Sequence, residues 1–112
     1  VIYEYGAEPI PISFKRHAEI YEEQMDHSSF KDTTRDFKHI EVGVYLSYLI
    51  RYWQEEFLNG EELEEAIEEK NDFLRTQYNF QIEYDQFRRP YYFVRDLNSG
   101  NLRGVKPAEN PN

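Results

Sequence analysis

Tyr78-Asn79-Phe80-Gln81-Ile82-Glu83-Tyr84-Asp85 decides the fold: aromatic or aliphatic residues at 78, 80, 82 and 84 alternate with polar ones between them. A period of two belongs to a β-strand with one buried face, because successive side chains point to opposite sides of the chain. Arg88-Arg89-Pro90 ends this run, and Tyr91 to Leu97 reads as a second strand. Asn98-Ser99-Gly100-Asn101 supplies turn residues before a third strand, Leu102 to Val105, so an antiparallel meander is expected. Beyond it, Lys106 to Asn112 contains Pro107 and Pro111 and no core-forming residue. That stretch reads as a flexible tail on one domain of residues 1–105.

Upstream of Tyr78 the period is helical. Phe14, His17, Ala18, Tyr21 and Met25 share one face of a helix that Ser13 is placed to cap and that runs to about His27. Ser28 and Ser29 interrupt it. A second helix begins between Thr34 and Ile40, and its apolar stripe through Val42, Tyr45, Leu46, Leu49, Ile50, Trp53 and Phe57 is wide enough to need several neighbours. Asn59-Gly60 marks its end, and a third helix follows from about Glu61 to Gln77 with Leu63, Ala66, Ile67, Phe73 and Leu74 on one side. Ile2, Tyr3 and Tyr5, before Gly6, Pro9 and Pro11, suggest an N-terminal edge strand or arm. The expected order is β-α-α-α-β-β-β, an α+β domain in which about three helices pack on a small antiparallel sheet. Tyr45, Leu49, Trp53, Phe57, Phe80, Ile82, Phe93 and Val94 should form its core.

Composition narrows the chemistry. At 112 residues the chain suits one core, and its ten Tyr and eight Phe are too many for a disordered polyelectrolyte. It has no Cys, which excludes disulfides and thiolate metal sites and fits a cytoplasmic or other reducing compartment. The most apolar stretch, Val42 to Ile50, contains Ser47 and Tyr48 and falls short of the roughly 20 residues that span a bilayer, so no membrane partner is expected. The glycines form no phosphate-binding motif. Glu23 and His27, four apart, share a helix face, but the second helix offers no matching pair of ligands, and no metal site is expected. Without a Gly-x-Ser-x-Gly motif or a catalytic cysteine, and with carboxylate pairs too abundant to single one out, neither an enzyme nor a cofactor is expected.

Charge is the distinctive feature. The net charge is −9, and residues 55–69 hold eight glutamates with no base among them. Six of these lie between Glu61 and Glu69, about one per 2 Å at ~1.5 Å rise per residue, close to the ~1.7 Å spacing of charge on duplex DNA. Glu55, Glu56, Glu61, Glu62, Glu65 and Glu69 are therefore the candidate partner-binding residues. The partner they imply is a basic protein surface, met as an inhibitor, an immunity-type protein or a DNA mimic would meet it.

A second candidate surface is basic and aromatic. Arg88, Arg89, Tyr91, Tyr92, Arg95 and Arg103 interleave charge with rings that could stack on bases. A central helix, a following helix and a terminal hairpin resemble a winged helix, and that resemblance would make the arginine-bearing hairpin a nucleic-acid-binding wing. The acidic helices disfavour it, since phosphate would repel them. A third expectation is a structural subunit of a larger assembly, with the tyrosines at its interfaces.

Overall fold

A computed structural model describes residues 13–109. The expected strand at Ile2 to Tyr5 lies outside these residues. The described elements are α1 (Phe14–Met25), α2 (Ser28–Lys31), α3 (Arg35–Glu55), α4 (Gly60–Tyr78), β1 (Phe80–Tyr84), β2 (Tyr92–Asp96) and β3 (Leu102–Val105). The fold is α+β: four helices pack against a three-stranded antiparallel sheet of order β1-β2-β3.

Local chemistry sets the boundaries. The Ser13 hydroxyl accepts from the Arg16 N–H at 3.1 Å, and Thr34 caps α3 by accepting from the Phe37 N–H at 3.2 Å. α4 ends where Asn79 turns left-handed, at φ 62°, and donates its N–H to the Leu74 carbonyl. Tyr78 is thus the last helical residue rather than the first of the strand, and its ring is buried between Phe30 and Phe73, edge-on to both. The single turn of α2 was not expected from Ser28 and Ser29; it brings Phe30 into the core.

α3 is the central element. One side packs on α1 and the other on β2 and β3, which is why Val42, Tyr45, Leu46, Leu49, Ile50 and Trp53 are all buried around its circumference. Ile67, Leu74 and Tyr78 of α4 join the same core, as do Phe80, Ile82 and Val94 of the sheet. Three polar side chains are buried with them: His39, Asn71 and Asp96. Each has a partner. His39 Nε2 lies 2.7 Å from the Val94 carbonyl, Asn71 is bonded to the Ile82 backbone, and Asp96 is bonded to Arg35.

Phe57 corrects the expected core. It is 84% exposed, because α3 stops at Glu55 and the chain reverses through Phe57 at φ 56°. A left-handed backbone angle strains any residue with a Cβ, and an exposed ring returns little burial for it. Phe57→Gly should therefore raise stability by about 0.5–1 kcal/mol in urea denaturation. A loss of stability would show that the exposed ring holds the loop in place.

Candidate functional site

At 3.6 residues per turn, Ile67, Asn71, Leu74 and Tyr78 fall on the core side of α4, so the opposite side collects the acids. Glu61, Glu65, Glu68 and Asp72 form a line along it, flanked by Glu62 and Glu69, while Glu64, seven before Asn71, lies towards β1; all seven carboxylates are exposed. Glu61, Glu62, Glu65 and Glu69 fall within about 100° of arc on that surface. The helix tolerates the first of these because its N-terminus carries partial positive charge.

Little answers this charge from within the molecule. Arg75 pairs with Glu68 at 2.6 Å, and among the described residues no other of the seven forms an ion pair. Lys70, the base nearest the cluster in sequence, points away to Glu22 on α1, at 2.9 Å. Glu55 and Glu56 are exposed at the C-terminal end of α3, where the helix dipole opposes them. In the chain, the exposed Phe57 falls between the two groups. The structure thus gathers the four α4 glutamates on one face and places Glu55 and Glu56 across a short turn from its start. Asp72 was missed by reading the glutamate run alone; its spacing of eleven from Glu61 was the available signal.

The basic candidates are arranged differently. Arg95 makes a forked contact to Glu83 through Nε and Nη2, and its Nη1 donates to the Gly100 carbonyl at 2.9 Å. That hydrogen bond from Arg95 is the main reason the Glu83 carboxyl is held below its ordinary value. Arg88 lies 4.6 Å from the centre of the Phe93 ring, and Arg89 lies 5.7 Å from that of Tyr91. Tyr92 is buried in the core, where burial first and the nearby Tyr84 second push its hydroxyl up to about 12. The β2–β3 register pairs Arg95 with Leu102 and Val94 with Arg103, which sets Arg95 and Arg103 on opposite faces of the sheet. These six residues do not share one surface. Arg89, Tyr91 and Tyr92 do line a common cleft of about 580 Å³ with Lys106.

Of the histidines, His27 is engaged by Ser29, whose hydroxyl lies 2.9 Å from Nδ1, and His39 is in the core. Among the described residues there is no group of three or more His, Cys, Asp or Glu placed to hold a metal ion. No described helix is long and apolar enough to cross a membrane. Compared with known proteins, the chain matches no protein-family model, no curated protein and no solved structure.

Proposed function

We propose that this domain is a non-enzymatic protein-binding module that sets the outer face of α4 against a basic partner surface, in the manner of an inhibitor, an immunity-type protein or a DNA mimic. The observation that carries the reading is the group of seven exposed carboxylates on α4, six of them on its outer face, of which only Glu68 is neutralised within the described residues. Like charges three and four apart on one helix face repel one another, so helix stability does not account for their clustering. Against a lysine- and arginine-rich surface the same field speeds encounter and rejects acidic competitors. Phe57 adds an aromatic contact at the head of the stripe, of the type that anchors interfaces.

The test is capture of partners from host lysate by the tagged chain, before and after nuclease treatment, and the same capture with Glu61, Glu62, Glu65 and Glu69 all changed to Lys. The expected result is a basic protein retained after nuclease and lost with the variant, whose melting temperature stays within about 5 °C of the parent because every substituted site is exposed. Undiminished capture by the folded variant would overturn the reading. The alternative, nucleic-acid binding, is favoured by the cleft that Arg89 and Lys106 share with Tyr91. Loss of every partner after nuclease would select it.

A further inference from the structure

A cavity of about 300 Å³ opens between α1, α3 and α4, with Leu49, Tyr52 and Trp53 among its walls and Glu19, Glu22 and Glu69 around it. Its carboxylates are not equivalent. Glu22 accepts from the buried Tyr45 hydroxyl and from Lys70 Nζ at 2.9 Å, which fixes it as part of the scaffold. Burial, reinforced by the Glu22 hydrogen bond, drives the Tyr45 hydroxyl far above its ordinary pKa, so it remains a proton donor to Glu22. Glu19 has only Arg16, at 3.7 Å and half exposed, and Glu69 has no ion pair among the described residues. Lys70 lines the cavity too, but its ammonium is held by Glu22, so Glu19 and Glu69 face the cavity with little compensation.

A second cation of the chain, Lys15, also lies at the cavity. Lys15 does not pair with a carboxylate among the described residues; its ammonium sits over the Tyr52 ring, 5.8 Å from the centroid. An ammonium over an aromatic face, with apolar walls for the methylenes behind it, is the arrangement by which proteins hold alkylammonium groups. Lys15 is exposed and rests at the end of a flexible stem, so it can leave.

We infer that this cavity binds a primary alkylammonium group, either the end of a free diamine or a lysine side chain, which displaces Lys15 from Tyr52 and is held by Glu19 and Glu69. In its lysine form the inference rests on the basic-partner reading, since Glu69 also belongs to the acidic face of α4. In its free-amine form it stands apart from that reading.

Trp53 is the chain's only tryptophan, so its indole N–H gives one assignable NMR signal at the cavity wall. The full chain would be titrated with 1,5-diaminopentane and, separately, with Nα-acetyl-lysine-N-methylamide, with 1-pentanol as the uncharged control. A saturable shift of Trp53 is expected with the amines and none with the alcohol. Lys15→Ala should tighten binding about two- to fivefold by removing the internal competitor. Lys31→Ala, an equal change of charge in another cavity, should leave it unchanged. Tyr52→Leu should weaken binding about two- to fivefold while Tyr52→Phe, which keeps the ring face, retains it. Saturation by the diamine alone identifies a free-amine site, and saturation by the capped lysine identifies a side-chain site. No saturable shift with either amine, equal effects of the Lys15 and Lys31 variants, or an equal response to pentanol would overturn the inference. The triple variant E61K/E62K/E65K leaves the cavity intact. If it loses the captured protein but still binds amine, or if the parent captures its partner but binds no amine, the two proposals are separated.

Discussion

Asn71→Leu is expected to be among the most damaging single changes in this domain, with a loss of about 2–5 kcal/mol, because it leaves two buried backbone groups without partners. β1 is an edge strand, and Ile82 lies opposite Val94 with its N–H and C=O turned away from β2. Asn71 takes the place of the missing strand: its Nδ2 donates to the Ile82 carbonyl at 2.9 Å, and its Oδ1 accepts from the Ile82 N–H at 2.6 Å. The side chain is 3% exposed, so water cannot substitute. For a domain near 100 residues the loss corresponds to a fall in melting temperature of roughly 10–25 °C. Asn71→Asp separates this mechanism from simple packing. At neutral pH its carboxylate can still accept from the Ile82 N–H but sets an anionic oxygen against the carbonyl. Burial raises such a carboxyl in the folded state, so the variant should regain stability as pH falls through that raised value and the protonated group can donate. Urea denaturation at neutral and mildly acidic pH reads both effects. A change under about 0.5 kcal/mol for Asn71→Leu would show that the edge does not need this cap.

Asn71 also shows what the sequence held and what it concealed. Its position four after Ile67 and three before Leu74 places it on the apolar side of α4, so its burial was legible, but a partner on β1 was not. The strand alternation at 80–84, the cap at Ser13 and the wide stripe of α3 were legible because each depends on neighbours within a few residues, whereas the start of α3 was bounded only between Thr34 and Ile40. Phe57 misled for the same reason. It continues the α3 stripe by spacing, yet the helix ends two residues earlier, and only the path into α4 determines that the ring faces solvent. The acidic face was readable because helical periodicity converts a run of glutamates directly into a surface. The arginines were not, because strand register and the paired acid at Glu83 decide which of them share a face.

Removal of Arg35 should cost about 3–5 kcal/mol at neutral pH, since it uncovers a buried charge and frees the end of a helix. Arg35 is the first residue of α3, and it joins three elements that are distant in sequence. Nη1 donates to the Tyr78 carbonyl at 2.7 Å, while Nη2 donates to the Asn79 carbonyl at 3.1 Å and to Asp96 Oδ1 at 2.7 Å. The guanidinium also covers the Phe80 ring, 4.0 Å from its centroid. It thereby satisfies carbonyls at the C-terminal end of α4, where the dipole favours a cation, and pairs the buried carboxylate at the end of β2. Burial alone would raise the Asp96 carboxyl, but the Arg35 hydrogen bond, backbone donation from Asn98 and Ser99, and the Arg35 charge together hold it below its ordinary value. A carboxyl with a lowered folded-state pKa contributes stability above its unfolded value of about 4, and that contribution disappears as pH falls through the folded value. The parent should lose stability across that acidic window. In Arg35→Met the sign reverses: burial is no longer opposed by the guanidinium, the Asp96 pKa rises, and acid relieves part of the damage. The difference between parent and variant should therefore be large at pH 7 and shrink below about pH 4. Adding Asp96→Asn to Arg35→Met should recover part of the loss at neutral pH, because the buried charge is gone while the helix-end carbonyls remain uncovered. A gap between parent and Arg35→Met that does not change with pH would assign the cost to lost packing over Phe80 and to the α4 carbonyls instead of to the ion pair.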